Sequence, residues 1–263
     1  MPSDERPASS PPAEPDAPQP CADVHCHVLP GDNDGPTDLA ESLALCRMLV
    51  ADGVVDVVAS PHQLGPYELD NSGPAIRAAL AALQAEIDAA GISLRLHAGA
   101  DVRIDERLVR LIDEGTVLTI GDQRRHLLLE LPHETFVEPL PVIEELAARG
   151  VQTVMTHPER HRYLAGSRRR IAAWLDAGAV LQITAGSLVG DFGRQARDEA
   201  WRLVDEELVD LVASDAHDPR RRPPRMQQAR ALLAARYGME YARRLTYDNP
   251  RQELAGRRLG VWG

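Results

Sequence analysis

Residues 22–35 read ADVHCHVLPGDNDG, and the fold can be worked out from this stretch, where an apolar run ends in His25 and His27. Side chains two positions apart on a β-strand share a face, so both imidazoles point the same way at the strand's carboxyl end. Histidine is the commonest metal ligand in proteins. Two histidines can equally end a buried strand, so the motif alone leaves a metal clamp and a structural role open.

The rest of the chain alternates between short β-rich runs and longer stretches with helical spacing, which is typical of βα units around a parallel sheet. Seven strands are predicted, at residues 21–27, 54–60, 93–102, 126–131, 151–157, 179–184 and 210–214. Helices are predicted at residues 38–51, 74–90, 106–114, 139–149, 168–177, 194–207, 225–237 and 239–246. This pattern predicts one α/β domain over residues 21–263, a closed or nearly closed barrel, after a proline-rich tail at residues 1–20 that is predicted to be disordered.

Ionisable side chains follow the predicted strands at their carboxyl ends, where barrels of this kind place their reactive groups. Besides His25 and His27, the candidates are Asp34, His62, Asp101, Glu130, His157, Asp215 and His217. Five histidines and four carboxylates exceed the needs of one ion, since a zinc-like site takes about four protein ligands. The sequence therefore predicts two or three divalent ions, whose surplus charge would attract a phosphate dianion and lower the pKa of bound water toward ~7.

Arginines stand beside two of these candidates. Arg160 follows His157 by three residues in THPER, and an arginine cluster follows His217 in SDAHDPRRRPP. A guanidinium group at the barrel mouth can hold phosphate oxygens, so Arg160 is interpreted as a phosphate ligand. The run at residues 168–170 is interpreted instead as solvated loop charge.

Composition restricts the chemistry further. The formal charge of −11 argues against a nucleic-acid partner held by backbone phosphates. All 29 basic residues are arginine, so a lysine Schiff base and a carbamylated lysine bridge are excluded. None of the three cysteines opens a Cys-x5-Arg phosphate loop, and their odd number fits a reducing compartment. Without an apolar span of ~20 residues or a signal pattern, the sequence predicts a cytoplasmic protein with no membrane insertion.

Seven motifs follow one another over about residues 21–255: HCHVLPGDNDGP, SPHQLGPY, GADV, LLLELP, THPER, QITAGSLVGDFG and SDAHDPRRRPP. Their order and spacing resemble the polymerase-and-histidinol-phosphatase (PHP) superfamily. More narrowly, they resemble the CpsB/CapC-type manganese-dependent protein-tyrosine phosphatases of bacterial capsule and exopolysaccharide operons. The resemblance implies a distorted (β/α)7 barrel that hydrolyses phosphotyrosine, with a bacterial tyrosine kinase controlling polysaccharide export as the partner. It implies manganese as two or three ions, with iron or zinc as alternatives.

The resemblance also implies a role for each candidate. One ion would be held by His25, His27, Asp101 and Asp215, a second by Asp101, Glu130 and His157, and a third by Asp34, His62 and His217. Arg160 and Arg222 would hold the phosphate. The chain departs from the family's usual pattern at Asp101 (usually Glu), Asn33 (usually Asp), Gln63 (usually His) and His161 (usually Tyr).

Three other functions stay open. The enzyme could act on a small phosphate ester such as histidinol phosphate. It could be an amidohydrolase, which also begins with HxH on a barrel strand, although the absence of lysine weakens the common two-metal form. It could be a non-catalytic scaffold, which would have no reason to keep nine ligand positions. His97 and His126 are interpreted as structural or surface residues, His133 stays open, and the glycine-rich residues 184–193 are expected to form a loop that walls the pocket.

Overall fold

The computed structural model describes residues 18–31, 34–67 and 71–260, which form a mixed α/β fold with parallel sheets. The predicted tail lies outside the described residues up to residue 17. Its last residues are held to the body of the protein. The backbone N–H of Gln19 donates to Gln227 Oε1 at 3.2 Å, and Arg230 Nη1 donates to the carbonyl of Pro20 at 2.6 Å.

The described residues contain nine strands: β1 (Cys21–Cys26), β2 (Val54–Ala59), β3 (His62–Gln63), β4 (Arg95–Ala98), β5 (Asp101–Arg103), β6 (His126–Glu130), β7 (Gln152–Thr156), β8 (Val180–Thr184) and β9 (Leu211–Ala213). The prediction of one continuous third strand is wrong, because β4 and β5 are separated at Gly99 and Ala100. A Cβ at Gly99 would overlap Cγ1 of Val58, so only glycine allows the two backbones to approach so closely there.

The strands form two parallel sheets, with the orders β1-β2-β4 and β3-β5-β6-β7-β8-β9. The chain passes from the first sheet to the second between β2 and β3, returns to the first for β4, and passes to the second again between β4 and β5. The segment after β9 then meets β1. The N–H of Asp215 donates to the carbonyl of His25, and the N–H of His27 donates to the carbonyl of Ala216, both at 2.8 Å. Because all pairings between strands are parallel, the strands end at one side of the fold, here called the carboxyl-end face.

Ten α-helices occur in the described ranges: α1 (Leu39–Ala51), α2 (Gly73–Ala89), α3 (Leu108–Asp113), α4 (Leu140–Ala148), α5 (Arg168–Asp176), α6 (Ala185–Val189), α7 (Gly193–Asp205), α8 (Met226–Tyr237), α9 (Met239–Arg243) and α10 (Asn249–Leu254), with a π-helical segment at Arg244–Asp248. None of them is long and apolar enough to cross a membrane. The run at residues 184–193, expected to form a loop, contains the short helix α6, and the turn with positive φ that its glycines predicted follows at Gly190, whose φ is +106°.

Most of the core lies between the sheets and the helices, and a second, smaller apolar cluster contains residues from both sheets. This cluster contains Val24, Val58, Ile120, Leu128, Val154, Val180, Leu211, Ala213 and Leu259. Strands of the two sheets therefore face a shared interior. Burying these side chains contributes roughly 1.5–3 kcal/mol for each large one, which holds the strand ends in a fixed relation to one another.

Candidate metal centre

The nine candidate metal ligands are all described, and they meet at the carboxyl-end face. They lie in β1 or just after it (His25, His27, Asp34), at the starts of β3 and β5 (His62, Asp101), at the end of β6 (Glu130), and directly after β7 and β9 (His157, Asp215, His217). Parallel pairing explains most of the convergence, because neighbouring strands end together at one side of a sheet. The short strands β3 and β5 begin after a gap of two residues beyond the carboxyl ends of β2 and β4, which places His62 and Asp101 at the same side. Residues far apart in sequence are thereby brought within a few ångströms.

One group comprises His27, Asp34, His62 and His217, whose ligand atoms all lie within 4.8 Å of one another. Asp34 is its centre. Its Oδ2 lies 3.1 Å from His217 Nε2 and 3.4 Å from His62 Nε2, and its Oδ1 lies 3.6 Å from His27 Nδ1. The resemblance placed Asp34, His62 and His217 on one ion. The geometry adds His27 to that group.

Asp101 lies between the other ligands and is completely buried. Its Oδ2 is 3.3 Å from His62 Nδ1, 3.5 Å from His25 Nε2 and 4.0 Å from His157 Nε2. Neither of its oxygens forms a hydrogen bond with the described part of the chain. A buried carboxylate without hydrogen bonds is costly, so this arrangement fits a group that binds cations.

Asp215 connects the histidines to the arginines. Its Oδ1 lies 3.4 Å from His25 Nε2 and 3.5 Å from His27 Nε2. Its Oδ2 accepts hydrogen bonds from Arg160 Nη1 and, at 2.5 Å, from Arg222 Nη2. Burial alone would raise the pKa of Asp215, but Arg222 and the neighbouring cationic groups outweigh it and hold this pKa well below its usual range. Asp215 is therefore a carboxylate at neutral pH.

Hydrogen bonds fix which nitrogen of two histidines carries the proton. The Nδ1–H of His25 donates to Gln182 Oε1 at 2.9 Å, and the Nδ1–H of His217 donates to the carbonyl of Asp215 at 3.0 Å. In the neutral ring, Nε2 of each is then an unprotonated lone pair directed into the site.

These lone pairs provide a test of whether the residues fit metal ions. The Nε2 of His217 lies 3.1 Å from Asp34 Oδ2, and the Nε2 of His25 lies 3.4 Å from His27 Nε2. A neutral His217 with its proton on Nδ1 presents an acceptor to the Asp34 carboxylate, so a cation that both groups can bind is favoured between them. Burial also lowers the pKa of His27 and of His157 well below the usual value, which keeps both rings neutral and able to bind metal. The residues present therefore fit divalent cations.

Glu130 is a second buried carboxylate whose ionised form would be stabilised by bound cations. Burial, together with the nearby Asp101, raises the pKa of Glu130 to about 7. Two carboxylates brought together in a buried site disfavour ionisation of one of them, and divalent cations remove that penalty.

The backbone is strained at two of the candidates. His157 has a φ of +33° and Asp215 a φ of +49°, which is the left-handed region that non-glycine residues rarely adopt. Each such residue costs on the order of 1–3 kcal/mol, and such strain clusters at functional sites. His157 is the first residue after β7, and Asp215 is the second residue after β9. The strained turns at these positions direct both side chains into the candidate metal centre.

A small cavity of about 120 Å³ lies among these groups, and Arg103 and His133 line it together with several of the candidates and with Arg160 and Arg222. Sequence reasoning missed Arg103. Its Nη2 lies 3.1 Å from Glu130 Oε2, and its Nη1 donates to the carbonyl of Leu131 at 3.1 Å. The signal was present, because Arg103 follows Asp101 by two positions on one strand, the spacing that singled out His25 and His27.

Of the histidines outside the nine candidates, His133 lies at the site, whereas His97 and His126 lie away from it. His133 lines the cavity, with Nε2 3.7 Å from Glu130 Oε1. His97 lies outside the cluster and its Nε2 contacts Asp56 Oδ1 at 2.8 Å. His126 is buried at the start of β6, whereas Glu130 ends that strand.

Three further arginines, Arg168 to Arg170, form the exposed first turn of α5.

The chain is similar to several known bacterial proteins. The model of the family "Capsular polysaccharide synthesis, CpsB/CapC" matches residues 21–255. The tyrosine-protein phosphatase YwqE of Bacillus subtilis is 32% identical over 228 residues, which cover 85% of this chain and 88% of the relative. The tyrosine-protein phosphatase CpsB of Streptococcus pneumoniae is 27% identical over 238 residues, covering 88% and 96%.

Solved structures agree with this. One from a study of YwqE and CpsB, described there as unique metal-dependent tyrosine phosphatases, has a TM-score of 0.87 at 30% identity and covers 92% of this chain and 97% of its own. A phosphotriesterase homology protein from Escherichia coli has a TM-score of 0.57 at 14% identity, covering 89% and 98%, and shares the fold alone. The resemblance seen in the motifs is confirmed: the chain belongs to the CpsB/CapC family of capsular polysaccharide synthesis proteins.

Proposed function

We propose that the protein is a metal-dependent phosphatase that hydrolyses phosphotyrosine in proteins. The observation that carries this proposal is the position of Asp215, whose one oxygen faces two histidines while the other binds two arginines. Candidate metal ligands and a pair of guanidinium groups thus adjoin one carboxylate, and ions held there would stand beside the arginines, as the binding of a phosphate ester requires. The names of the similar proteins support phosphotyrosine as the substrate.

Two or three divalent ions would be held by the nine candidate ligands. One group of neighbouring ligand atoms comprises Asp34, His27, His62 and His217. Asp101 belongs to two further groups, one with His25 and His27 and the other with His62 and Glu130. Such ions supply positive charge to phosphate oxygens and lower the pKa of water toward ~7, which makes hydroxide available near neutral pH. Manganese is the proposed ion, with iron or zinc as alternatives, because imidazole and carboxylate together suit these metals.

The chain's own residues would bind and orient the phosphate. Arg160 and Arg222 present guanidinium groups with side chains only 15% and 26% exposed, so their charge is weakly screened by solvent. Both now bind Asp215 Oδ2, and a phosphate oxygen offers them a second acceptor of the same kind. Arg103 adds a third guanidinium to the cavity wall.

The size of the cavity supports a phosphate group at its bottom and the rest of the substrate outside. Its volume of about 120 Å³ is well below the ~300–1,000 Å³ of pockets that enclose a whole ligand. A phosphate group fits this space, whereas a peptide must lie on the surface. The proposed substrate is therefore a phosphotyrosine that extends from a protein surface, with a bacterial tyrosine kinase controlling capsule or exopolysaccharide synthesis as the partner.

We also propose that residues 21–263 form one domain, a distorted (β/α)7 barrel. The hydrogen bonds from Asp215 and His27 across to the other segment, and the apolar cluster shared by both sheets, support closure. The three cysteines, Cys21, Cys26 and Cys46, are free and buried, which supports a reducing, cytoplasmic location.

Steady-state kinetics on a phosphotyrosyl peptide with manganese would test the function, paired with elemental analysis of the purified protein. We expect turnover of the peptide and at least two equivalents of metal. The variants His157→Ala and Asp215→Ala should remain folded and lose phosphate release. A higher kcat/KM for histidinol phosphate than for the peptide would contradict the proposed substrate, and activity near wild type in either variant would contradict the proposed centre.

A further inference from the structure

The ring of Phe192 lies beneath both arginines of the centre. The Cζ atom of Arg160 is 4.3 Å from the centroid of this ring, and the Cζ atom of Arg222 is 5.6 Å from it. Phe192 is one of only two phenylalanines in the chain and is half-buried. It belongs to the run TAGSLVGDFG, to which sequence reasoning gave only the role of a pocket wall.

Two guanidinium groups in one place repel each other, and they reach this place from separate segments. Arg160 follows β7, whereas Arg222 lies in the turn after β9, where it pairs with Asp218 in an antiparallel bridge. Asp215 Oδ2 attracts both, but the other oxygen of this carboxylate faces His25 and His27 of the candidate metal centre. The face of an aromatic ring carries negative electrostatic potential, and a guanidinium group within about 6 Å of its centroid is attracted to it. Phe192 provides such a face for both arginines.

The position of Phe192 is itself fixed by close packing. A Cβ added to Gly186 would lie 2.9 Å from Phe192 Cε2, so the ring rests against the bare backbone of α6. The N–H of Asp191 donates to the carbonyl of Gly186 at 2.9 Å, which holds the neighbouring residue in place. The ring therefore has little freedom to follow the arginines, and the arginines must adapt to the ring.

Polar contacts also join this segment to those that carry the arginines. Glu159, which precedes Arg160, accepts hydrogen bonds through Oε1 from Thr184 N at 2.9 Å and from Ser187 Oγ at 2.7 Å. On the other side, Arg225 Nε donates to Asp191 Oδ2 at 2.8 Å. The segment with Phe192 is thus tied to the residue before Arg160 and to the segment that follows Arg222.

We propose that Phe192 is a positioning residue, whose ring holds the guanidinium groups of Arg160 and Arg222 at the spacing that accepts one phosphate group. This inference rests on the proposed function of the two arginines. It predicts that the ring affects the binding of the phosphate group itself, whether or not an aromatic leaving group is attached. A ring that instead stacked on the substrate's phenyl group would affect aromatic substrates alone.

The test compares Phe192→Leu and Phe192→Tyr with Phe136→Leu. Phe136 is a matched control, since Arg170 lies over its ring at 4.5 Å, outside the metal centre. For each variant, kcat and KM for p-nitrophenyl phosphate, the inhibition constant of inorganic phosphate and the metal content would be measured. We expect Phe192→Leu to raise both KM and the phosphate inhibition constant about three- to ten-fold with kcat and metal content nearly unchanged.

Phe192→Tyr keeps the aromatic face and should restore wild-type values, and Phe136→Leu should match the wild type. An unchanged phosphate inhibition constant in Phe192→Leu would overturn the inference, including the case in which KM for the aryl substrate rises. A fall in metal content in that variant would also overturn it. If the proposed function itself were wrong, the wild-type protein would show no turnover, which is a different result. Phosphate affinities measured by calorimetry would then still distinguish Phe192→Leu from the wild type.

Discussion

His27 and His217 stack with ring centroids 3.8 Å apart and an interplanar angle of 27°, although one follows β1 and the other follows β9. The stack forms only where the first and last strands of the fold meet. Both rings belong to the group around Asp34. The metal centre therefore joins the two ends of the sheet arrangement, and binding of ions there is linked to the stability of the whole fold.

Removal of metal should lower the thermal stability. At a free ion concentration 100 times the dissociation constant, one bound ion stabilises the native state by about 2.7 kcal/mol. For a chain of this size, that energy corresponds to a rise in Tm of roughly 5–10 °C. Differential scanning calorimetry of chelator-treated protein, titrated with manganese, measures the shift. In Asp215→Ala, the same titration should give a clearly smaller rise. Equal Tm values with and without metal would contradict the linkage.

Asp101→Asn should lower stability more with metal than without it. Without metal, burial raises the pKa of Asp101, but His25 and His62 outweigh burial and hold this pKa below its usual value, so the carboxylate stabilises the native state and its replacement should cost about 1 kcal/mol. With metal, the variant also loses a bridging ligand and should lose roughly 2–3 kcal/mol more. Urea unfolding of both forms measures the two stability differences.

The half-buried Asp105 supplies the control for that experiment, because it lies outside the metal centre. Asp105→Asn makes the same chemical change at a carboxylate that hydrogen-bonds to Arg107 Nη2 at 2.7 Å. Its effect on stability should be the same in both forms, because no candidate ligand is lost. Equal destabilisation of Asp101→Asn with and without metal would mean that Asp101 is not a metal ligand.

The candidate ligands could be predicted from the sequence because of one regularity: reactive groups follow strands in parallel sheets. His157 and Asp215 are such cases, and alternation on a strand gave His25 and His27. The break at Gly99 could not be predicted, since it depends on the approach of Val58 from another strand. For the same reason, the grouping of His27 with Asp34 could not be predicted, because it depends on side-chain distances across the site.

Asp56 lies away from the metal centre, and it should make the free energy of unfolding depend on pH below about 4. Burial raises its pKa, but His97 and Arg251 outweigh burial and lower that pKa below the usual value. A carboxylate with a lowered pKa stabilises the native state above its unfolded pKa of about 3.9, and this contribution disappears as pH falls through the folded pKa. The stability difference between wild type and Asp56→Asn should therefore be present at about pH 5 and shrink as the pH falls below about 4.

Chemical denaturation at several pH values measures that difference. Asp113→Asn is the control, since Asp113 is exposed and pairs with Arg149 at 3.2 Å in solvent. Its stability difference should be close to zero throughout. A difference for Asp56→Asn that grew on acidification would mean that its pKa is raised in the native state.

The run Arg220-Arg221-Arg222 permits a test of the phosphate site with a matched control. Within the described residues, Arg222 alone of the three hydrogen-bonds to Asp215, through Nη2 at 2.5 Å, and its Nη1 donates to His217 Nε2 at 2.8 Å. Arg222→Gln should raise KM and the inhibition constant of phosphate by about ten-fold or more, because a charge-assisted hydrogen bond contributes roughly 1.5–3 kcal/mol. Arg220→Gln removes the same charge two residues away and should leave both constants within about two-fold, as expected for an exposed charge that salt screens. Similar effects of both substitutions would mean that the run acts as a diffuse positive patch, and the assignment of Arg222 to the phosphate would fall.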